Sequence, residues 1–152
     1  MNHTADIEFF DVPDEDVETL AEAVDFFLNE LGVTEFVRLA IEYDNELGLD
    51  ACCDAPNGTY SEDHETIDIF LNPDSQDNMM RNLAHELVHV KQYVKGDLVR
   101  SAGKVEYCGR LYEHSSSYSY EEYKDLPWEV EAFELEETLW ESYCDVYNGP
   151  KH

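Results

Sequence analysis

The stretch NLAHELVHVKQYVKG places His85, Glu86 and His89 in an H-E-x-x-H pattern. On a helix, histidines four apart lie one turn from each other on one face, so their ring nitrogens can converge on a single tetrahedral ion. Glu86 is offset from His85 by about 100° and can reach a water on that ion without ligating it. Zinc lowers the pKa of a bound water to about 7, and a neighbouring carboxylate can take the proton as the water attacks a carbonyl. The pattern predicts zinc as cofactor, His85 and His89 as ligands and Glu86 as general base. Two plainer explanations compete: a pair of surface histidines on a solvated face, or core histidines with ordinary hydrogen-bond partners. Stepping around the helix puts Met80, Leu83, Leu87, Val90 and Val94 in one stripe and the two histidines nearly opposite, with Asn78 and Asn82.

Catalytic zinc sites usually have three protein ligands, so one more is needed. The segment DLPWEVEAFELEETLWESYCDVYNG reads as a final helix, with Pro127 in its first turn and Gly149 past its end. Its apolar face holds Trp128, Ala132, Phe133, Leu139, Trp140, Tyr143 and Tyr147, and Glu129 and Glu136 fall on that face. Glu131, Glu134, Glu137 and Glu141 fall on the other, expected to be solvated. A carboxylate on a buried face needs a partner, and a zinc ion is one. Glu129 is therefore the expected third ligand. Glu136 is expected either to support a ligand histidine or to be partly exposed.

HELVH followed by PWEVEA resembles the short gluzincin-type zinc metallopeptidases, including compact metallopeptidase-like proteins often found in phage genomes. The resemblance runs from Thr66 to Leu139. Where relatives read E-x-x-A-D or E-x-x-A-N, the first glutamate is the ligand; that position here is Glu129, with Ala132 as the small residue and Phe133 in place of the acid or amide. The resemblance implies an α+β, zincin-like minimal metallopeptidase fold with its cleft between the HExxH helix and the sheet's edge strand. ETIDIFL would be that edge, open to an extended peptide by strand addition. Tyrosines and His114 in the 112–123 loop could then supply a donor to a developing oxyanion, or equally form cleft wall or core.

The elements that must position these residues begin with DVPDEDVETLAEAVDFFLNELG, where Pro13 and the following acids suit a helix start and Gly32 its stop. Val17, Leu20, Val24, Phe27 and Leu31 should face inward. EFVRLAIEYD (35–44) looks strand-like, LGLDACCDA (47–55) is its expected partner, PNGTY is a turn, and ETIDIFLNP (65–73) is a further strand. The HELVH helix would start from an Asp74 or Ser75 cap and end at Gly96. Residues 98–112 read as short extended segments turning at Gly103 and Gly109. The expected order is an N-terminal helix, a small mixed sheet, the HExxH helix, short strands and a glutamate-bearing helix.

At 152 residues with 43% hydrophobic content, one domain spanning 1–152 is the expectation. The N-terminus shows neither a basic region with an apolar stretch nor a membrane span. Cys52, Cys53, Cys108 and Cys144 have no C-x-x-C spacing, which favours reduced thiols and a cytoplasmic setting. The formal net charge of −27, from 36 acidic and 9 basic residues, disfavours nucleic acid and anionic membranes as partners and favours basic peptides. Two functions therefore compete: a zinc metallopeptidase acting on a peptide or protein, and a non-catalytic acidic interaction protein, either a nucleic-acid mimic or a metal-stabilised binding module. Only the enzyme needs Glu86.

Overall fold

The computed structural model describes residues 5–34, 36–44, 51–54, 66–73, 79–101, 104–113 and 125–148. Among the described residues it is a mixed α+β architecture of three α-helices and two small sheets. The chain opens with β1 (Ala5–Phe10), then α1 (Asp14–Glu30), β2 (Val37–Tyr43), β3 (Ala51–Asp54) and β4 (Ile67–Leu71). The four strands form one sheet in the order β1-β2-β4-β3. β1 and β4 both pair with β2 in parallel, and β3 returns antiparallel along β4.

This topology corrects two expectations. The stretch ADIEFF is an additional strand, with Ala5, Ile7 and Phe9 half-buried and Asp6, Glu8 and Phe10 exposed. ETIDIFL is no edge strand: β4 lies between β2 and β3, and the edges are β1 and β3. The physical reason is that β3 pairs with β4, where the sequence suggested β2. A βαβ unit brings β1 beside β2, and α1 is the crossover that a parallel pair requires. The PNGTY turn lies outside the described residues.

In β2 the alternation buries Val37, Leu39, Ile41 and Tyr43, and in β4 it buries Ile67, Ile69 and Leu71. α1 meets them with Leu20, Ala23, Val24, Phe27 and Leu28, all buried. Val17 and Leu31, expected inside, are only half-buried. Tyr43 fixes the start of α1 by donating a hydrogen bond to Asp16 at 2.9 Å.

α2 (Met79–Val94) carries the HELVH stretch and packs against α1, β3, β4 and the last helix, α3 (Pro127–Tyr143). Every residue from Leu83 to Val90 is buried, so this middle part of α2 is covered on all sides. Gly96 follows it at φ 78°, a left-handed conformation that ends the helix without a Cβ clash. The proposed caps Asp74 and Ser75 lie outside the described residues.

Between the two helices runs a three-stranded antiparallel meander, β5 (Leu98–Ser101), β6 (Lys104–Tyr107) and β7 (Arg110–Glu113). Tyr107 pairs with Arg110 across Cys108 and Gly109, whose φ values of 51° and 83° fit a two-residue type I′ turn. The expected turn at Gly103 lies outside the described residues. α3 begins at Pro127, whose missing N–H costs nothing there, and continues into a π-helical turn over Cys144–Asn148. Among the described residues no helix is long and apolar enough to cross a membrane.

Candidate metal centre

α2 and α3 are the most extensively packed pair of helices, and the polar residues of the sequence motif lie between them. His85, Glu86, His89, Gln92 and Glu129 are all buried. Five polar side chains in one interior region require compensation, because an unpaired buried polar group costs about 1–3 kcal/mol. For the two histidines, Gln92 and Glu129 that compensation comes from hydrogen-bond partners on α2 and α3.

Glu129, on the first turn of α3, places Oε1 3.0 Å from His85 Nε2 and 3.2 Å from His89 Nε2. Ligand atoms of the three residues all lie within 4.8 Å of one another. The edge of a tetrahedron with metal–ligand bonds of 2.0–2.1 Å is about 3.3 Å. The two measured separations are close to that edge. The imidazole rings stand nearly perpendicular, at 76°, with centroids 5.1 Å apart.

The other ring nitrogens decide what these three atoms require. His85 Nδ1 lies 2.8 Å from a Glu136 carboxylate oxygen, which can only accept, so Nδ1 carries a proton. His89 Nδ1 lies 2.8 Å from Gln92 Oε1, again an acceptor. In their neutral tautomers both histidines then aim an Nε2 lone pair at a carboxylate oxygen. Three electron-rich atoms at this distance repel unless a positive charge lies between them. A proton can supply it at His85: burial opposes the charged ring, but hydrogen bonds with Glu129 and Glu136, helped by the charges of Glu86 and Glu129, push the pKa up to about 10. Burial likewise opposes ionisation of Glu129, and the two histidines overcome it, holding the carboxyl well below its usual range. A divalent metal ion would satisfy all three at once, and borderline-soft zinc suits two imidazoles and a carboxylate.

Glu86 does not join this cluster. Burial pushes its pKa up; the histidines counteract that, while Glu129 and Glu136 add to it. It is thus a carboxylate beside the two histidines with a raised proton affinity.

Support for the centre extends further than sequence reasoning reached. Glu136 also faces Arg81 Nε at 3.7 Å, and Arg81 pairs with exposed Glu137. Of the two roles left open for Glu136, the structure places it against His85. Phe133, where an acid or amide was the pattern, packs its ring on His85 with centroids 4.6 Å apart. The polar support comes instead from Glu136 and from Gln92, which the sequence reading missed; its signal was position, three residues past His89 on the same helix.

Glu131 is a correction. Expected on a solvated face with Glu134, Glu137 and Glu141, it is half-buried, and it accepts hydrogen bonds from Lys91 at 2.6 Å, Gln92 at 2.8 Å and Tyr107 at 2.8 Å. Burial opposes its charge, but these donors hold its carboxyl below the usual range. The reason is the meander: β6 brings Tyr107 to a face of α3 that sequence alone left to solvent. Glu134, Glu137 and Glu141 are exposed as expected.

Of the aromatic residues expected near an oxyanion, Tyr112 packs edge-on against Trp128 at 5.4 Å, beside Tyr107 at 6.0 Å. His114, Tyr118, Tyr120 and Tyr123 lie outside the described residues. No protein-family model, no curated protein and no solved structure matches this chain. Functional conclusions therefore depend on the site itself.

Proposed function

We propose that this protein is a zinc-dependent metallopeptidase on a zincin-like scaffold, with His85, His89 and Glu129 holding the metal and Glu86 as general base. One observation carries the proposal: two histidines with both Nδ1 atoms already engaged direct their Nε2 atoms at one buried carboxylate oxygen, at 3.0 and 3.2 Å. Zinc at that point would supply Lewis acidity and a water of pKa about 7.

The chain's own residues supply the rest. Glu136 and Gln92 fix the ring orientations and leave the Nε2 lone pairs free for the metal. Glu86, next to His85 in sequence, accepts the proton of the attacking water at its carboxylate and returns it to the leaving amine. Burial raises its proton affinity, which suits a group that must take up a proton and hand it on. The antiparallel edge strand β3, against which α2 packs, offers the cleft wall where an extended peptide could add as a strand. A net charge of −27 favours basic polypeptides as substrates. The four thiols without a framework spacing favour a cytoplasmic setting.

The test is Glu86→Gln, which keeps the shape but cannot take the proton. Zinc content should be unchanged, and hydrolysis of an unstructured basic polypeptide should fall about 10²- to 10⁴-fold. Undiminished hydrolysis by this variant would rule out Glu86 as the base. The competing function, a non-catalytic acidic interaction protein, requires that neither the wild type nor the variant cleave anything.

A further inference from the structure

We infer that Gln92 is a positioning residue of this centre, holding His89 in the tautomer a metal ion requires, and that Glu131 sets which end of the Gln92 amide faces the ring. The inference rests on the zinc proposal above. Gln92 is fully buried, at 0% exposure. Its Nε2 lies 2.9 Å from the Trp128 carbonyl and 2.8 Å from Glu131 Oε1, and its Oε1 lies 2.8 Å from His89 Nδ1. A backbone carbonyl and a carboxylate only accept, so both amide hydrogens are committed to them. The flipped amide would set its oxygen against two acceptors. Oε1 is thereby left for His89, which must carry a proton on Nδ1, so that in the neutral ring the lone pair is the one on Nε2, facing Glu129.

The two ligand histidines thus reach the same tautomer by different routes. His85 donates directly to a full negative charge on Glu136, which comes from α3. His89 donates to a neutral amide from its own helix, and the charge stands one hydrogen bond further away, on Glu131. Glu131 in turn is held by Lys91 from α2 and by Tyr107 from the meander. Burial and the Glu131 carboxylate together push the Tyr107 hydroxyl above its usual range, which keeps it a donor. Gln92 is the only link between this carboxylate and the centre that the observed hydrogen bonds provide among the described residues.

The experiment uses the full chain with ¹⁵N-labelled histidine, titrated with zinc against a competing chelator. In the zinc-loaded wild type, two imidazole Nδ1–H signals should be protected from exchange with water, one from each ligand histidine. Gln92→Met keeps the side-chain length and removes both polar ends. It should weaken zinc binding by about 10- to 100-fold and release the His89 signal to exchange while the His85 signal stays protected. Tyr107→Phe removes a donor to Glu131 without touching the amide and should leave zinc affinity within about twofold, whereas a generally loosened α3 would lower it there too. Wild-type zinc affinity with both signals still protected in folded Gln92→Met would overturn the inference while leaving the metal centre standing. If Gln92→Met does not fold, Glu131→Gln decides: a few-fold loss of affinity, with a change in the His89 signal alone, supports the inference, and wild-type behaviour overturns it. A folded wild type that takes up no zinc removes the metal centre and this inference with it.

Discussion

α2 presents two stripes at the same spacing and of opposite chemistry. Leu83, Leu87 and Val90 stand at i, i+4 and i+7 and are fully buried in the apolar core. His85, His89 and Gln92 repeat that spacing two residues later, are nearly as buried, and meet the carboxylates Glu129, Glu131 and Glu136 of α3. An apolar stripe is satisfied by any close-packed neighbour. A polar stripe is satisfied only by particular atoms at particular distances, and it stays destabilising until each has its partner. Half of this helix therefore serves stability by packing, and the other half holds a site in one geometry.

The difference can be broken experimentally, beginning with the apolar stripe. Leu87→Ala should cost about 2–5 kcal/mol of unfolding free energy through lost transfer energy and a residual cavity, by the same amount with zinc or with chelator. Denaturant titrations in the two conditions check this; a loss that appears only with zinc would mean that the stripes are not separable.

The polar stripe should behave in the reverse manner. With free zinc at a thousand times Kd, a bound ion stabilises the fold by about 4 kcal/mol, and Glu129→Ala should abolish that increment because metal affinity and folding are coupled at such a site. Thermal melts with and without zinc would then coincide for the variant and differ for the wild type. Persisting zinc stabilisation in Glu129→Ala would assign the third ligand to another residue.

The smallest effect is the dependence on pH. Under chelation, burial opposes the charged His85 ring, but its hydrogen bonds with Glu129 and Glu136 prevail and push its pKa up from 6.5 to about 10. A raised folded-state pKa contributes stability that is fully present below about pH 6.5 and is lost as pH rises through about 10. Zinc competes with that proton, so the zinc-dependent gain in Tm should grow between pH 6 and 8. Melts at the two pH values, each with and without zinc, test it; a gain that shrinks over this range would contradict the proton–metal competition.

Much of the polar stripe was legible in the sequence, because helical phase is a local property. One step of 100° per residue separates Glu129 from Glu131 and aligns Glu129 with Glu136. The same phase misjudged Glu131. Its surroundings depend on Tyr107, 24 residues away in the chain, and on how the meander folds back on α3, and no periodicity within α3 reports that. The sheet was harder for a similar reason. β-Branched and aromatic content marked β2 as a strand and alternation marked β4, yet strand order depends on where β3 returns, so the edge was placed one strand inward. β1 was missed because it is six residues long with Asp6 and Glu8 between its apolar positions, a pattern that a half-buried edge strand shares with an acidic loop. Gln92 was passed over because an amide on a helix is ordinarily unremarkable; only its three partners reveal its place.

The most direct test is the metal content of the purified wild-type chain after dialysis against zinc and removal of excess, measured beside Glu129→Ala. Convergence of His85, His89 and Glu129 on one point predicts about one zinc per chain in the wild type and close to none in the variant. A folded wild type with no bound zinc, or a Glu129→Ala protein that retains a full equivalent, would contradict the assignment of these three residues as a metal centre.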